Sequence, residues 1–237
     1  MYIKVISSTP LPQTTVWVAL SQDYSADPVT ATQALWPNEE TCGNIAVRRL
    51  LNGDRGHYGC LEHPSITLNC VGFPHSVVVQ ARTHRMLSFD VQSMRYTSQH
   101  LLDVADGKKS VEEVFYFRPV GEYRDRAGKR YTQTKLTLRA QKVWCKLSCL
   151  LYRTLVQRFG FSEEHARDVI PYNVRQHFVV SMNLRSALHF MDLRAKPDAQ
   201  LEIQQFCDCL WPIIEQWSPE IAQWYTQKRL RKAKLSP

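Results

Sequence analysis

The chain has 237 residues, 44% of them hydrophobic, enough for one substantial core or at most two small ones. Its formal charge is +8, but five cations (Lys228, Arg229, Arg231, Lys232 and Lys234) crowd the C-terminal stretch QKRLRKAKLSP, leaving about +3 for the rest. That balance does not require a protein that coats nucleic acid, and the longest apolar runs, such as HSVVVQ, are too short to span a bilayer. Seven cysteines are an odd number for a disulfide framework, and Cys42, Cys60, Cys70, Cys145 and Cys149 mostly stand where small apolar residues would fit. No N-terminal signal pattern appears. The expectation is a cytoplasmic protein with no membrane and no nucleic-acid partner.

Taken in chain order, MYIKVIS and TTVWVAL read as strands, because β-branched and aromatic residues recur in short runs. NEETCGNIAVRRLLNG predicts a helix with acids in its first turn, Arg48 and Arg49 late, and Gly53 beyond its end. PSITLNCVGF predicts a strand. FPHSVVVQARTHR is ambiguous: the valines favour a strand, whereas Ser76 would cap a short helix, and the helix is preferred. Residues 103–131 are polar and Gly-punctuated, with one strand-like patch, EVFYF, and read as a variable excursion from the core. Thr132 to Phe159 predicts a long helix, since Leu136, Val143, Leu147, Leu150, Leu151 and Leu155 recur near helical spacing before Gly160. Ser162, Glu163 and Glu164 open a short helix that should end by Pro171. NLRSALHFMDLR and PDAQLEIQQFCDCLWPIIEQW give two more, with Pro212 kinking or splitting the second. The class implied is α+β, a single domain over 1–237 with a mainly antiparallel sheet packed against long helices. Residues 226–237 read as a solvated basic tail.

The sequence lacks G-x-S-x-G, G-x-G-x-x-G and a P-loop. A zinc reading of His57, Cys60 and His63 lacks a fourth ligand, which leaves structural histidines as the preferred reading. The stretch QARTHRMLSFDVQSMRYT (80–97) carries more information. It interleaves Arg82, Arg85 and Arg95 with Met86, Leu87, Phe89, Val91, Met94 and Tyr96. An arginine is a planar, permanently charged fork suited to phosphate or to an anionic ring edge. A second group comprises Arg167, Asn183, Arg185, His189 and Arg194; on a helix Arg185 and His189 share a face, with Asn183 at its start. Either group alone reads as a solvated surface with weak ion pairs. Two such groups with apolar neighbours point to an anionic ligand.

These residues resemble the flavin-dependent thymidylate synthases. That family's signature is Arg-His-Arg, seven residues, then Ser; here His84-Arg85 is followed by MLSFDVQ and Ser93. The similarity extends to GHYGCLEH, to ARDVIPYNVRQHFVVSMNLRSALHFMDLR and to DAQLEIQQF, covering about Gly56 to Phe206. The resemblance implies the fold of that family, FAD as cofactor, dUMP as substrate, 5,10-methylenetetrahydrofolate as carbon donor, NADPH as reductant, and a homotetramer with sites between subunits. It implies dUMP contacts from Gln80, Arg82, Gln92, Ser93, Arg95 and Arg167, and flavin contacts from Gly59, Thr83, His84, Arg85, Asn183, Arg185 and His189. Arg194 matches the arginine that holds the uracil edge and favours ionisation at N3. Three departures stand out: Thr83 replaces the first Arg of the signature, Asp90-Val91 replaces Asn-Glu, and His189 replaces an Asn of some members. Ser93 reads as a substrate donor rather than a nucleophile, because no base is evident near it in sequence. The competing expectations are a degenerate paralogue that binds flavin and nucleotide without synthase activity, and a nucleic-acid-binding module.

Overall fold

The computed structural model describes residues 1–52, 56–125 and 127–232. Its first elements are β1 (Tyr2–Ser8), α1 (Pro12–Gln22), α2 (Glu39–Ala46), β2 (Ser65–Pro74), α3 (His75–Ala81) and β3 (Ser88–Val91). Next come α4 (Gln99–Ala105), α5 (Val111–Val114), β4 (Gly121–Arg124), β5 (Arg130–Gln133), α6 (Lys135–Gln157) and α7 (Glu163–Ala166). The last are β6 (Arg175–Asn183), α8 (Leu184–Arg194), α9 (Leu201–Trp217) and α10 (Pro219–Lys228). The α+β class expected from the sequence holds. Four strands form a sheet in the order β1-β2-β6-β3, and β4 and β5 form an antiparallel hairpin.

By internal contacts the chain resolves into two compact units. One comprises Val71–Ala81 and Asp90–Phe178; the other comprises Tyr2–Cys70, Arg82–Phe89 and the chain from Val179 onward. The strands β2, β3 and β6 each have residues in both.

In the first unit, Leu101 and Val104 of α4, Val114 and Phe115, Cys145, Cys149 and Tyr152 of α6, Ala166 and Val174 form one buried cluster. Part of the 103–131 segment is therefore core rather than excursion. EVFYF is not a strand: Ser110 and Glu113 form a capping box that starts α5, and only Phe115 makes an isolated bridge, to Val174. Helix α6 begins where Thr134 accepts a hydrogen bond from the Thr137 amide. Its buried side chains are Cys145, Ser148, Cys149 and Tyr152, whereas Leu136, Val143, Leu147 and Leu151 of the predicted apolar stripe are exposed, as is Trp144. The helix preferred for FPHSVVVQARTHR forms only over His75–Ala81, so the RTHR stretch lies beyond its end, and Ser76 lies inside it rather than at its cap.

The second unit overturns the strand expected at TTVWVAL. Pro12 stands in the first turn of α1, and the Glu39 carboxylate accepts the amides of Gln13 at 2.7 Å and Thr14 at 2.8 Å. Those amides are the orphan donors of a helix start, so a carboxylate remote in sequence fixes a helix where local propensity favours a strand. The buried Gln13 passes the arrangement on: its Oε1 accepts the amides of Glu220 at 3.0 Å and Ile221 at 3.2 Å, at the start of α10. Asn38 caps α2 through the Thr41 amide at 2.8 Å. The stop assigned to Gly53, and Lys234 of the basic tail, lie outside the described residues. Lys228 ends α10, a helix the tail reading passed over, and Pro212 sits inside α9 without splitting it. All seven cysteines are free, and six of them are buried.

Candidate active site

In the second unit the site is built on α8. Asn183 sits at its N-cap, where its Oδ1 accepts the Ser186 amide at 2.8 Å. The Leu184 amide donates to the Pro64 carbonyl at 3.1 Å, which ties the start of α8 to the turn before β2. Leu184, Ala187, Leu188 and Met191 are buried, while Arg185 and His189 are half-buried one helical turn apart. Arg194 lies in the last turn, where the helix dipole favours a cation.

Arg194 reaches the Thr83-His84 pair. Its Nε donates to His84 Nε2 at 2.9 Å, and its Nη2 donates to Thr83 Oγ1 at 2.9 Å. A guanidinium can only donate, so His84 accepts with a lone pair at Nε2 and a neutral imidazole carries its proton on Nδ1. The His84 ring is buried, with the Phe190 ring 4.8 Å away and the His189 ring 5.5 Å away. Burial, then the charges of Arg194 and His189, lower its pKa to about 4. His84 and Thr83 are uncharged, so these two bonds orient the guanidinium without cancelling its charge.

Other predicted residues of this unit are arranged differently. Arg185 pairs with Glu62, Nη1 to Oε1 at 2.6 Å. Glu62 closes the short 3-10 turn Tyr58–Glu62, and Gly59 lies in that turn, exposed. A Cβ added to Gly59 would meet nothing within 4 Å. Arg82 and Arg85 are exposed on either side of Thr83 and His84. Cys60, weighed above as a zinc ligand, turns its thiol to the His57 carbonyl at 3.4 Å.

Gln80, Gln92, Ser93, Arg95 and Arg167 belong to the first unit. Gln92 is partly used by the sheet: its amide donates to the His177 carbonyl at 2.9 Å, and its Oε1 accepts the His177 amide at 3.2 Å. The Ser93 carbonyl accepts the amides of Tyr96 and Thr97, both at 3.1 Å, in a turn that leads to α4. Arg95 pairs with Glu164 at 3.0 Å, with side chains 48% and 44% exposed. A pair that exposed is worth at most about 1 kcal/mol, weak enough for an anion to compete with the carboxylate. Arg167 is half-buried where α7 passes into a 3-10 turn, and Gln80 is half-buried near the end of α3.

The sequence reading missed Glu62, although GHYGCLEH contains it, because its charge was not matched to Arg185. It also grouped Thr83, His84 and His189 as flavin contacts, without joining Thr83 or His84 to Arg194.

The family model described as "Thymidylate synthase complementing protein" matches residues 4–220. The chain belongs to this family. Curated relatives named flavin-dependent thymidylate synthase include that of Halobacterium salinarum, 31% identical over 251 aligned positions that cover 100% of both chains. That of Pyrococcus horikoshii is 30% identical, over 90% of this chain and 78% of its own. Among solved structures, a UMP/dUMP methylase, PolB, from Streptomyces cacaoi bound with 5-Br UMP superposes with a TM-score of 0.73 at 19% identity. That match covers 99% of this chain and 96% of PolB. The flavin-dependent thymidylate synthase ThyX from Helicobacter pylori, complexed with FAD and dUMP, gives a TM-score of 0.64 at 20% identity, over 90% and 93% of the two chains. Those likenesses establish the family fold.

Proposed function

We propose that the protein is an FAD-dependent thymidylate synthase. It methylates dUMP to dTMP with 5,10-methylenetetrahydrofolate as carbon donor and NADPH as reductant. The observation that carries this reading is the half-buried Arg194, held by two neutral acceptors in a chain of this family. A cation oriented in that way suits the edge of a uracil, where it favours loss of the N3 proton and leaves more electron density at C5.

The second unit's residues fit a dinucleotide flavin. Arg85 is an exposed cation suited to a pyrophosphate, and the open space over Gly59 admits backbone close to a ligand. Arg185, fixed by Glu62, and Asn183 and His189 of the same segment complete the set. When bound, FAD supplies the redox chemistry of the reaction. The chain's own residues bind, orient and polarise. In the first unit Ser93, Arg95 and Arg167 are hydroxyl and cationic donors suited to the nucleotide phosphate, and Gln80 and Gln92 offer amides to the nucleotide's polar edges; in the second, Arg82 is an exposed cation suited to the same group. Ser93 acts as a donor, since an unactivated hydroxyl is a poor nucleophile.

The chain works as one catalytic domain in a homotetramer in the cytoplasm. The exposed apolar side chains of α6 support self-association, because large exposed apolar patches mark contact surfaces. Among the described residues no helix is long and apolar enough to cross a membrane.

The test is a visible spectrum of the purified protein with and without added FAD, followed by dTMP formation from dUMP and, in parallel, methylation of UMP. A flavin spectrum with turnover of dUMP supports the proposal. FAD binding without turnover of either nucleotide marks a paralogue without synthase activity. Failure to bind FAD refutes the flavin reading.

A further inference from the structure

We propose that Thr83 is a positioning residue for the reaction: with His84 it forms a neutral clamp that sets the direction of the Arg194 guanidinium. This rests on the reading of Arg194 as the group that meets the uracil. The Arg194 side chain is long and leaves the last turn of α8 with many rotamers open to it. Two bonds of 2.9 Å, one from Nε and one from Nη2, fix the plane of the fork as a single bond could not. Thr83 and His84 are adjacent in sequence, so one short piece of backbone carries both acceptors.

The chemistry of the acceptors matters as much as their place. A carboxylate at position 83 would hold Arg194 more tightly but would neutralise it, weakening its pull on an ionising uracil. An arginine at 83, as in the signature the sequence resembles, has no acceptor to offer and would set a second cation against the first. Thr83 accepts and adds no charge. In this chain it is a working part of the site, and not a gap in the signature.

The experiment uses the full-length, FAD-loaded protein and compares Thr83→Val, Thr83→Ser, Thr83→Arg and Arg194→Ala. It reads kcat and KM for dUMP in dTMP formation, the flavin spectrum and the melting temperature. Thr83→Val keeps the shape and removes the acceptor, so kcat should fall about tenfold, as expected for one lost hydrogen bond to a charged group. KM for dUMP, the spectrum and the melting temperature should hold. Thr83→Ser should stay within about twofold of the parent, because it keeps the hydroxyl. Thr83→Arg should lose at least as much as Thr83→Val. If Thr83→Val does not fold, the contrast between the Ser and Arg variants decides the matter. Parent-level kcat in Thr83→Val, a gain in Thr83→Arg, or loss of FAD from Thr83→Val would each overturn the clamp. Parent-level turnover in Arg194→Ala would instead remove the reading on which the clamp rests.

Discussion

Arg194 Nε donates to His84 Nε2 across 2.9 Å, joining residues 110 positions apart and fixing the histidine as a neutral acceptor. The protonation state of one residue therefore governs the orientation of the other. Protonating His84 would turn the acceptor into a donor and place two cations in contact.

A pH dependence follows. Burial, with Arg194 and His189 of α8 facing the ring, lowers the His84 pKa to about 4. In an unfolded chain the same group titrates near about 6.5. Between those values the unfolded state binds the proton more readily, so acid favours unfolding. The His84 contribution is complete above about pH 6.5, declines as pH falls toward about 4, and is gone below that. Burial also lowers His100 and His177, which act in the same direction. Thermal melts from pH 7.5 to 4.5 should show stability falling with acid in the parent, with a shallower fall in His84→Asn. Equal slopes in the two proteins would show that His84 does not titrate as assigned.

Asp192, two positions before Arg194, is 2% exposed and accepts from Tyr225 Oη at 2.5 Å and from Arg229 Nη2 at 3.0 Å. The pair ties α8 to the end of α10. Asp192→Ala removes the buried acceptor of both Tyr225 and Arg229, so it should destabilise the protein by about 2 kcal/mol or more. Tyr225→Phe, which deletes one hydrogen bond to a carboxylate, should cost about 1–2 kcal/mol. Urea denaturation measures both, and the order of the two losses is the content of the prediction.

Gly59 has open space where a Cβ would stand, and its backbone is not in the left-handed region. Gly59→Ser should leave stability within about 0.5 kcal/mol of the parent. Its added side chain fills the space through which backbone would approach the ligand, so FAD binding should weaken several-fold, as read by flavin fluorescence titration. Unchanged binding would show that the cofactor does not lie over this turn.

The exposed stripe of α6 gives a fourth expectation. Replacing Val143 and Leu147 together by Glu puts charge on a face that self-association would bury. Light scattering should report a tetramer for the parent and smaller species for the double variant. A monomeric parent would contradict the assembly proposed above.

The sequence made some of this legible and hid the rest for physical reasons. The helices α6, α8 and α9 were readable because helical spacing and terminal signals agree within each segment. The faces they bury were harder: the leucines of α6 recur at helical spacing, yet the helix buries its cysteines and Tyr152 and turns Leu136 and Leu147 outward. α1 was misread because its β-branched run favours a strand, while the carboxylate that starts the helix is Glu39, outside any local window. β6 went unread although Gln176, Phe178, Val180 and Met182 alternate inward, a period-two signal masked by its polar residues. The signature around His84-Arg85 was visible because its parts are contiguous. The bonds from Arg194 to Thr83 and His84 were not, since nothing in either segment names the other.

The central claim is that Arg194 activates the uracil of dUMP in an FAD-dependent methylation. The most direct measurement is tritium release from [5-³H]dUMP by Arg194→Ala and by the parent, both carrying FAD and supplied with 5,10-methylenetetrahydrofolate and NADPH. The account predicts release by the parent, and loss of release in the variant with its flavin spectrum intact. Equal release by the two proteins, or none by the FAD-loaded parent, would contradict it.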